Sequence, residues 1–447
     1  MSEWKKVKID FETVKLGDYI EPIKTTVGDL KIDNPVVYGV TNKEGIVQTG
    51  KPASEDVSKY IVLQENCFAF NPYRINVGSI GINEENLKGC VSPAYVVFKT
   101  KNGLLPKFLF FYLKSDYGIH LINWYGNRGG VRNALRYSDL CNIDIPDIRK
   151  LDQQALLDKF SFAAERIDEL SKEIEKQKSY AKKLRANILQ DAIEGKLTAD
   201  WREKHPVKKG DPNYDSDALF EKIQAEKQEK GKKQKPLPAI SDDEKPFAIP
   251  TGWKWVRLGD LVIDITSGSR EWAKYYSESG ALFLRMGNLS KNSFNLRLDN
   301  LQYVNVPDNS EGKRTRLQAG DLLFSITADI GNLGLIPENF QEAYINQHTA
   351  RIRFLERQRT TFFPYVLLSP CLKSQYLPNA HGMKNSFRLD TLSFLKIPLP
   401  PLAEQNEIVA RVEKHLETIT QLETQIATRE TLTKQLMQGL LKDAFER

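Results

Sequence analysis

Two short stretches of this 447-residue chain hold the side chains best suited to touching a nucleic acid. FNPYRINVGSIG, at 70–81, offers Arg74, Asn76 and Ser79 beside glycines that let backbone approach a phosphate. Arginine and asparagine are the side chains that can make paired hydrogen bonds to guanine and adenine edges. The same stretch also reads as a glycine-turned hairpin with one surface arginine. ITSGSREWAKYY, at 265–276, offers Ser267, Ser269, Arg270 and Lys274, and INQHTA adds Gln347 and His348. A third set recurs in two copies. YGNRGGVRNALR holds Arg128, Arg132, Asn133 and Arg136, and HGMKNSFR holds Lys384, Asn385 and Arg388 at the matching places. A basic residue, an amide and an arginine kept in both copies suit phosphate or sugar contacts, which do not depend on base sequence. Closure of the fold explains them as well.

Other chemistries find little support. The four cysteines (Cys67, Cys90, Cys141, Cys371) form no CxxC pair, and the five histidines form no HxxxH or HExxH pattern. Neither a disulfide framework nor a zinc site is expected, and no cofactor is expected in this chain. The 64 basic residues against 58 acidic ones leave a net charge of +6, a weak lean towards an anionic partner. No run of about 18 apolar residues and no apolar leader opens the chain, so the expectation is a cytoplasmic protein without membrane contact.

The elements that position these residues are written twice. LRANILQDAIEG, at 184–195, reappears as LMQGLLKDAFER at 436–447, an offset of 252. At that offset 17 of the 66 positions 130–195 are identical, among them Asn133/Asn385, Pro146/Pro398, Gln153/Gln405, Leu170/Leu422 and Leu184/Leu436. Composition alone gives roughly four or five. Leu156, Phe160, Ala163, Ile167, Leu170, Ile174, Ala181, Leu184 and Ile188 step by four and three, which predicts one long helix over about 151–195 with a heptad seam. Its twin, over about 403–444, runs through Ile408, Val412, Ile419, Leu422, Ile426, Leu436 and Leu440, with His415, Arg429 and Thr433 as polar seam residues. These either fix register or, for His415, meet a partner or sense pH. Each copy is entered through a proline joint, IPDIRKLDQQ or IPLPPLAEQNE.

Before each helix, short apolar runs alternate with turn signals. YIVLQENCFAF, AYVVFKT, ALFLRMGNL, GDLLFSITADIG and AYINQHTARIRF read as strands, and FLFFYLKSD and FFPYVLLSPCLKS as helices, a mixed α+β class. The expected domains are 1–146, a helix in 147–197, a charged linker in 198–249 with one short helix near Asp217 to Gln228, a second domain in 250–398 and a helix in 399–447. The KQEKGKKQK run reads as solvated linker, with phosphate contact as the other reading.

Taken in order, FNPYRINVGSIG with GCVSPAYVVFK, EGKLTADWR (194–202), PTGWKWVRLGD (250–260) and IPLPPLAEQNEIV (397–409) resemble the DNA-specificity subunit of Type I restriction-modification enzymes. The resemblance covers the whole chain. It implies two pseudo-twofold-related target-recognition domains separated by two long antiparallel coiled-coil helices acting as a ruler. It further implies double-stranded DNA as ligand, two methyltransferase subunits and, in the full complex, two motor-nuclease subunits as partners. S-adenosylmethionine would then belong to the methyltransferase, ATP and Mg to the motor subunit, and no catalytic residue to this chain. Two rivals remain. FNPYR partly matches the Asn-Pro-Pro-aromatic tetrapeptide of adenine methyltransferases, but the second proline and a glycine-rich turn for S-adenosylmethionine are missing. A coiled-coil scaffold accounts for the helices and leaves the globular parts without purpose. PDIRK (146–150) begins like a metal-nuclease signature but lacks its following carboxylate and lysine.

Overall fold

A computed structural model describes residues 12–445 apart from 43, 50–55, 127–133, 231–236, 271, 307–313, 356, 357, 359 and 378–387. The chain forms two compact units, Met1–Gln177 with Gln425–Arg447, and Lys178–Thr424. Each long helix therefore contributes to both.

The first unit holds β1 (Thr13–Lys15), β2 (Ile20–Pro22), β3 (Val37–Thr41), β4 (Gly45–Gln48), β5 (Ile61–Val62), β6 (Phe68–Phe70), β7 (Ile80–Ile82), β8 (Cys90–Val91), β9 (Val96–Thr100) and β10 (Asp144–Pro146). The second holds β11 (Lys254–Arg257), β12 (Val262–Ser267), β13 (Tyr276–Ser277), β14 (Ala281–Leu284), β15 (Tyr303–Val304), β16 (Leu322–Ser325), β17 (Leu333–Leu335), β18 (Ala343–Ile345), β19 (Thr349–Phe354) and β20 (Lys396–Leu399). The sheet orders correspond. β2-β9-β6-β7 matches β12-β19-β16-β17, both antiparallel throughout. The other sheets, β4-β3-β8-β5 and β13-β15-β14-β18, share one parallel pair each, β3 with β8 and β14 with β18.

The proline joints take the same place in both units. Pro146 pairs with Thr13 in the two-stranded ribbon β1–β10, and Pro398 with Trp255 in β11–β20. A two-strand ribbon tolerates a residue that cannot donate to a ladder. The apolar runs fill the cores: Phe68, Phe70 and Phe98 are fully buried, with Phe68 stacked on Phe98 at 4.7 Å. The helix pairs Pro106–Lys114 with Asp116–Gly126, and Phe362–Leu368 with Pro370–Tyr376, close over the antiparallel sheets.

The long helices run Gln153–Ile193 and Leu402–Phe445, within two residues of expectation at each end. The repeated glutamine does the same work at both entrances. Gln153 accepts from Leu105 N at 2.9 Å, and Gln405 accepts from Thr360 Oγ1 at 3.3 Å, each tying its helix to the turn before the shorter helix pair. The helices pack antiparallel. In the second unit Arg185 pairs with Glu423 at 3.0 Å and Arg411 reaches back to Leu197 O at 2.9 Å; in the first, Leu441 joins the core of Leu157 and Phe160.

The seam departs from the heptad expectation. Away from the helix ends the buried line recurs at multiples of seven, Phe160, Ile174, Ala181 and Ile188 on the first helix and Val412, Ile419, Ile426 and Thr433 on the second, with further buried residues such as Leu157, Leu189, Ala192, Ile408 and Leu441 towards the ends. Leu170, Leu184, Leu422 and Leu436, read from the sequence as the alternate seam line, are instead exposed, as is His415. A pair of helices buries only the stripe where they touch, so the second line faces outward.

The segment expected to be a charged linker is largely folded into the second unit. It forms helices Ala199–Lys204 and Ser216–Lys230, the latter the short helix expected near Asp217 to Gln228. Leu219 and Ile223 enter the core, and half-buried Lys227 donates to Gly259 O at 2.5 Å. Residues 231–236 of the lysine-rich run lie outside the described residues.

Candidate nucleic-acid interface

In the first unit the connection between β6 and β7 is a local knot of backbone hydrogen bonds. Asn71 Oδ1 accepts from Tyr73 N at 2.9 Å, Asn71 O accepts from Arg74 N at 2.9 Å and Ile75 N at 3.1 Å, and Gly78 closes the turn at φ +82°. This Asx turn pushes Tyr73, Arg74 and Val77 into solvent. Asn76 is half-buried. Ser79 is buried, which corrects its place among the residues able to reach a base. Asn71 is thus spent on a turn, unlike an asparagine free to hold an extruded base.

Lys114, which the sequence reading missed, stands beneath this loop. Its Nζ donates to Asn42 O and Oδ1 at 3.0 and 3.1 Å, and burial pulls its pKa below the ordinary lysine value. A Cβ on Gly78 would sit 2.8 Å from that same Asn42 Oδ1, so the loop packs on the turn that Lys114 holds. Arg128, Arg132 and Asn133 lie outside the described residues, although Leu135 N, just beyond them, donates to Pro72 O at 3.0 Å. Lys384 and Asn385 are also outside. Arg136 and Arg388 are exposed, and each precedes a short helix as its N-cap residue, Tyr137–Leu140 and Leu389–Ser393.

In the second unit the candidate residues converge on the ends of β12 and β18. Gly268 N donates to Asn346 O at 3.0 Å, and Ser269 bridges to Asn346. Ser267 remains within β12, opposite Ala350. Ser269 Oγ accepts from Trp272 Nε1 at 3.1 Å, which anchors the turn and leaves Arg270 and Lys274 exposed. Gln347 Nε2 donates to His348 Nε2 at 2.9 Å, so Nδ1 carries the proton towards Thr327 Oγ1, also at 2.9 Å. Two nearby arginines are committed to the fold. Arg351 forms a two-point pair with Asp264 at 3.0 and 2.9 Å, and Arg353 with Asp321 at 2.7 Å for both bonds.

Next to this cluster opens a cleft of about 480 Å³ whose walls include Arg285, Arg297, Asn300 and Asn346. None of these was singled out from the sequence; the one available signal was an arginine and an asparagine, RMGN, directly after a buried strand. The β6–β7 loop has its topological counterpart in the β16–β17 connection, where Thr327 sits and Ala328 takes φ +55°. Reactive groups of other kinds are scarce. Among the described residues no cluster of three His, Cys, Asp or Glu could hold a metal, and no helix is long and apolar enough to cross a membrane. Burial pushes the Cys67 thiol up to about 11, so it stays protonated.

Residues 250–429 match the family described as Type I restriction modification DNA specificity domain. The chain is 28% identical over 256 residues to the EcoAI specificity subunit of Escherichia coli, a match covering 55% of this chain and 41% of that relative. With the EcoDI specificity subunit of Escherichia coli the identity is 23% over 447 residues, covering 98% of this chain and 89% of the relative. The chain thus spans less than half the length of the EcoAI relative and most of the EcoDI one. Among solved structures, a chain from a study of complex assembly and conformational transition of the type I R-M system superposes with a TM-score of 0.66 at 20% identity, over 98% of this chain and 99% of that one. That likeness concerns the fold.

Proposed function

We propose that this chain is the specificity subunit of a Type I restriction-modification complex, each unit reading one half of a bipartite double-stranded DNA site. It performs no chemistry itself. It docks two methyltransferase subunits, which carry S-adenosylmethionine, and in the full complex two ATP- and Mg-dependent motor-nuclease subunits. Its place is the cytoplasm, with the DNA.

One observation carries this reading. Tyr180, Leu184 and Leu422 in the second unit, and Leu432, Leu436 and Leu170 in the first, are 42% to 62% exposed, and they are the same three positions under the 252-residue offset. Large apolar side chains left in solvent at duplicated positions are what two copies of one partner would cover. Arg185 pairs with Glu423 at 3.0 Å, so Leu184 and Leu422, one residue earlier on each helix, flank the same crossing. The globular parts repeat one topology with different loops, as two readers of different sequences would. Sequencing N6-methyladenine across the genome of the host, with and without this gene, tests the reading. A split motif should lose methylation when the gene is deleted; an unchanged methylation pattern would refute it.

A further inference from the structure

β14 and β18 run parallel with Leu284 opposite Ile345, so both strands leave the sheet at the same end and deliver Arg285 and Asn346 side by side. In the first unit the equivalent strand β3 turns directly into β4, with Thr41 opposite Gly45. In the second, residues 285–302 intervene before β15. Buried Leu289 and the bridge from Ser290 to Leu333 pin the excursion to the unit, and one buried polar side chain ties together its part at the cleft. Asn288, 2% exposed, accepts from Arg285 N at 2.9 Å through Oδ1 and donates through Nδ2 to Arg297 O at 2.9 Å and Asn300 O at 3.2 Å. Its own carbonyl accepts from Arg297 N at 2.8 Å. The backbones of three cleft residues are therefore fixed from a single point.

We infer that Arg285 and Arg297 read a guanine in the DNA half-site of the second unit, with Asn288 as the residue that positions them; this rests on the specificity reading above. Among the described residues neither guanidinium meets a carboxylate, in contrast to Arg351 and Arg353, and the nearest polar contact is Arg285 Nη2 to Asn300 Oδ1 at 3.4 Å. An arginine fork matches O6 and N7 of guanine. Asp299 also lines the cleft. A carboxylate there opposes a phosphate but accepts from N4 of the paired cytosine, so the mixed charge favours a G·C base pair over the backbone. The rigid bracket points the same way, since a base edge demands fixed geometry and a phosphate does not.

The test is a titration of the full chain, at two salt concentrations, against duplexes randomised in both half-sites. Arg285→Lys and Arg297→Lys keep the charge and lose the fork. Each should reduce discrimination at one base pair of one half-site by about ten- to a hundredfold, leaving the other half-site intact. Asn288→Ala should lose the same preference without touching DNA. Gly287→Val is the control for folding, because a Cβ at Gly287 meets nothing within 4 Å. It should keep the thermal midpoint and weaken sequence-selective binding. A uniform loss over all sequences with a shallower salt slope would make the arginines phosphate contacts and overturn the inference, as would unchanged preferences in both lysine variants. Wild-type chain that shows no preference in either half-site would instead overturn the specificity reading itself.

Discussion

Trp253 Nε1 donates to Glu404 Oε2 at 2.7 Å, and both side chains are buried in the second unit. The other carboxylate oxygen of Glu404 accepts from Thr198 Oγ1 at 2.7 Å and from Arg202, whose Nη2 reaches Gly195 O. One carboxylate thus clasps the end of the first long helix, the start of the globular segment and the start of the second long helix. At the equivalent place in the first copy stands Asp152, which merely caps its helix by accepting from Ala155 N at 3.0 Å. Removing one member of a buried pair leaves the other charge uncompensated and costs about 3 to 5 kcal/mol. Glu404→Ala should destabilise the chain by that amount in chemical denaturation followed by circular dichroism. Glu404→Gln still accepts from Trp253 and should cost roughly 1 to 3 kcal/mol.

The exposed apolar positions on the long helices predict stoichiometry. Leu184→Glu should remove one methyltransferase from the complex and Leu436→Glu the other, because the two leucines are the same residue of the repeat. Both are exposed, so the folding midpoint of the free chain should stay within about 0.5 kcal/mol of wild type. Native mass spectrometry of the co-expressed complex should find one partner copy in each single variant and none in the double. Two copies retained in the double variant would place the docking surface elsewhere.

How far the sequence could be read followed from the range of the interactions. The repeat was legible because identities such as Gln153/Gln405 and Pro146/Pro398 serve local purposes, a helix entrance and a ribbon strand, that recur unchanged. The strands were legible as short apolar runs bounded by turn signals, and several of them, such as Phe68–Phe70 and Leu322–Ser325, are buried throughout. The outward line of leucines was misread as seam because apolar spacing records that a residue is to be covered, not which chain covers it. The helix at Ser216–Lys230 was legible, but its packing onto the core was masked by a charged composition in which Ala218, Leu219 and Ile223 alone are buried hydrophobics. The Asn288 bracket has no periodic signature at all, being five hydrogen bonds among residues 285–300 in an irregular loop.

Arg74 and Arg270 both project from turns that the fold holds by other residues, Asn71 in one unit and Trp272 with Ser269 in the other. Their truncation should therefore leave folding unchanged and alter recognition one half at a time. Arg74→Ala is expected to lose about 1 to 3 kcal/mol of discrimination at a base pair of the first unit's half-site, and Arg270→Ala likewise in the second. Selection from a duplex library randomised in both halves measures this directly. Relaxation of the distal half by either variant would contradict separable readers.

The last prediction concerns the helix pair as a spacer. Phe160, Ile174, Ala181 and Ile188 on one helix, and Val412, Ile419, Ile426 and Thr433 on the other, lie in phase at multiples of seven. Seven residues inserted after Lys176, with seven more after Thr428, preserve that phase to within about 20° and lengthen each helix by about 10.5 Å. At 3.4 Å per base pair the unread gap of the methylated motif should widen by about three base pairs. Insertions of four residues at the same points rotate the following stretch by about 40°. They should carry the buried line out of contact and cost stability before any spacing can be read. Methylome sequencing of hosts bearing the heptad variant gives the gap directly, and a motif with its original spacing would show that something other than these helices sets the distance.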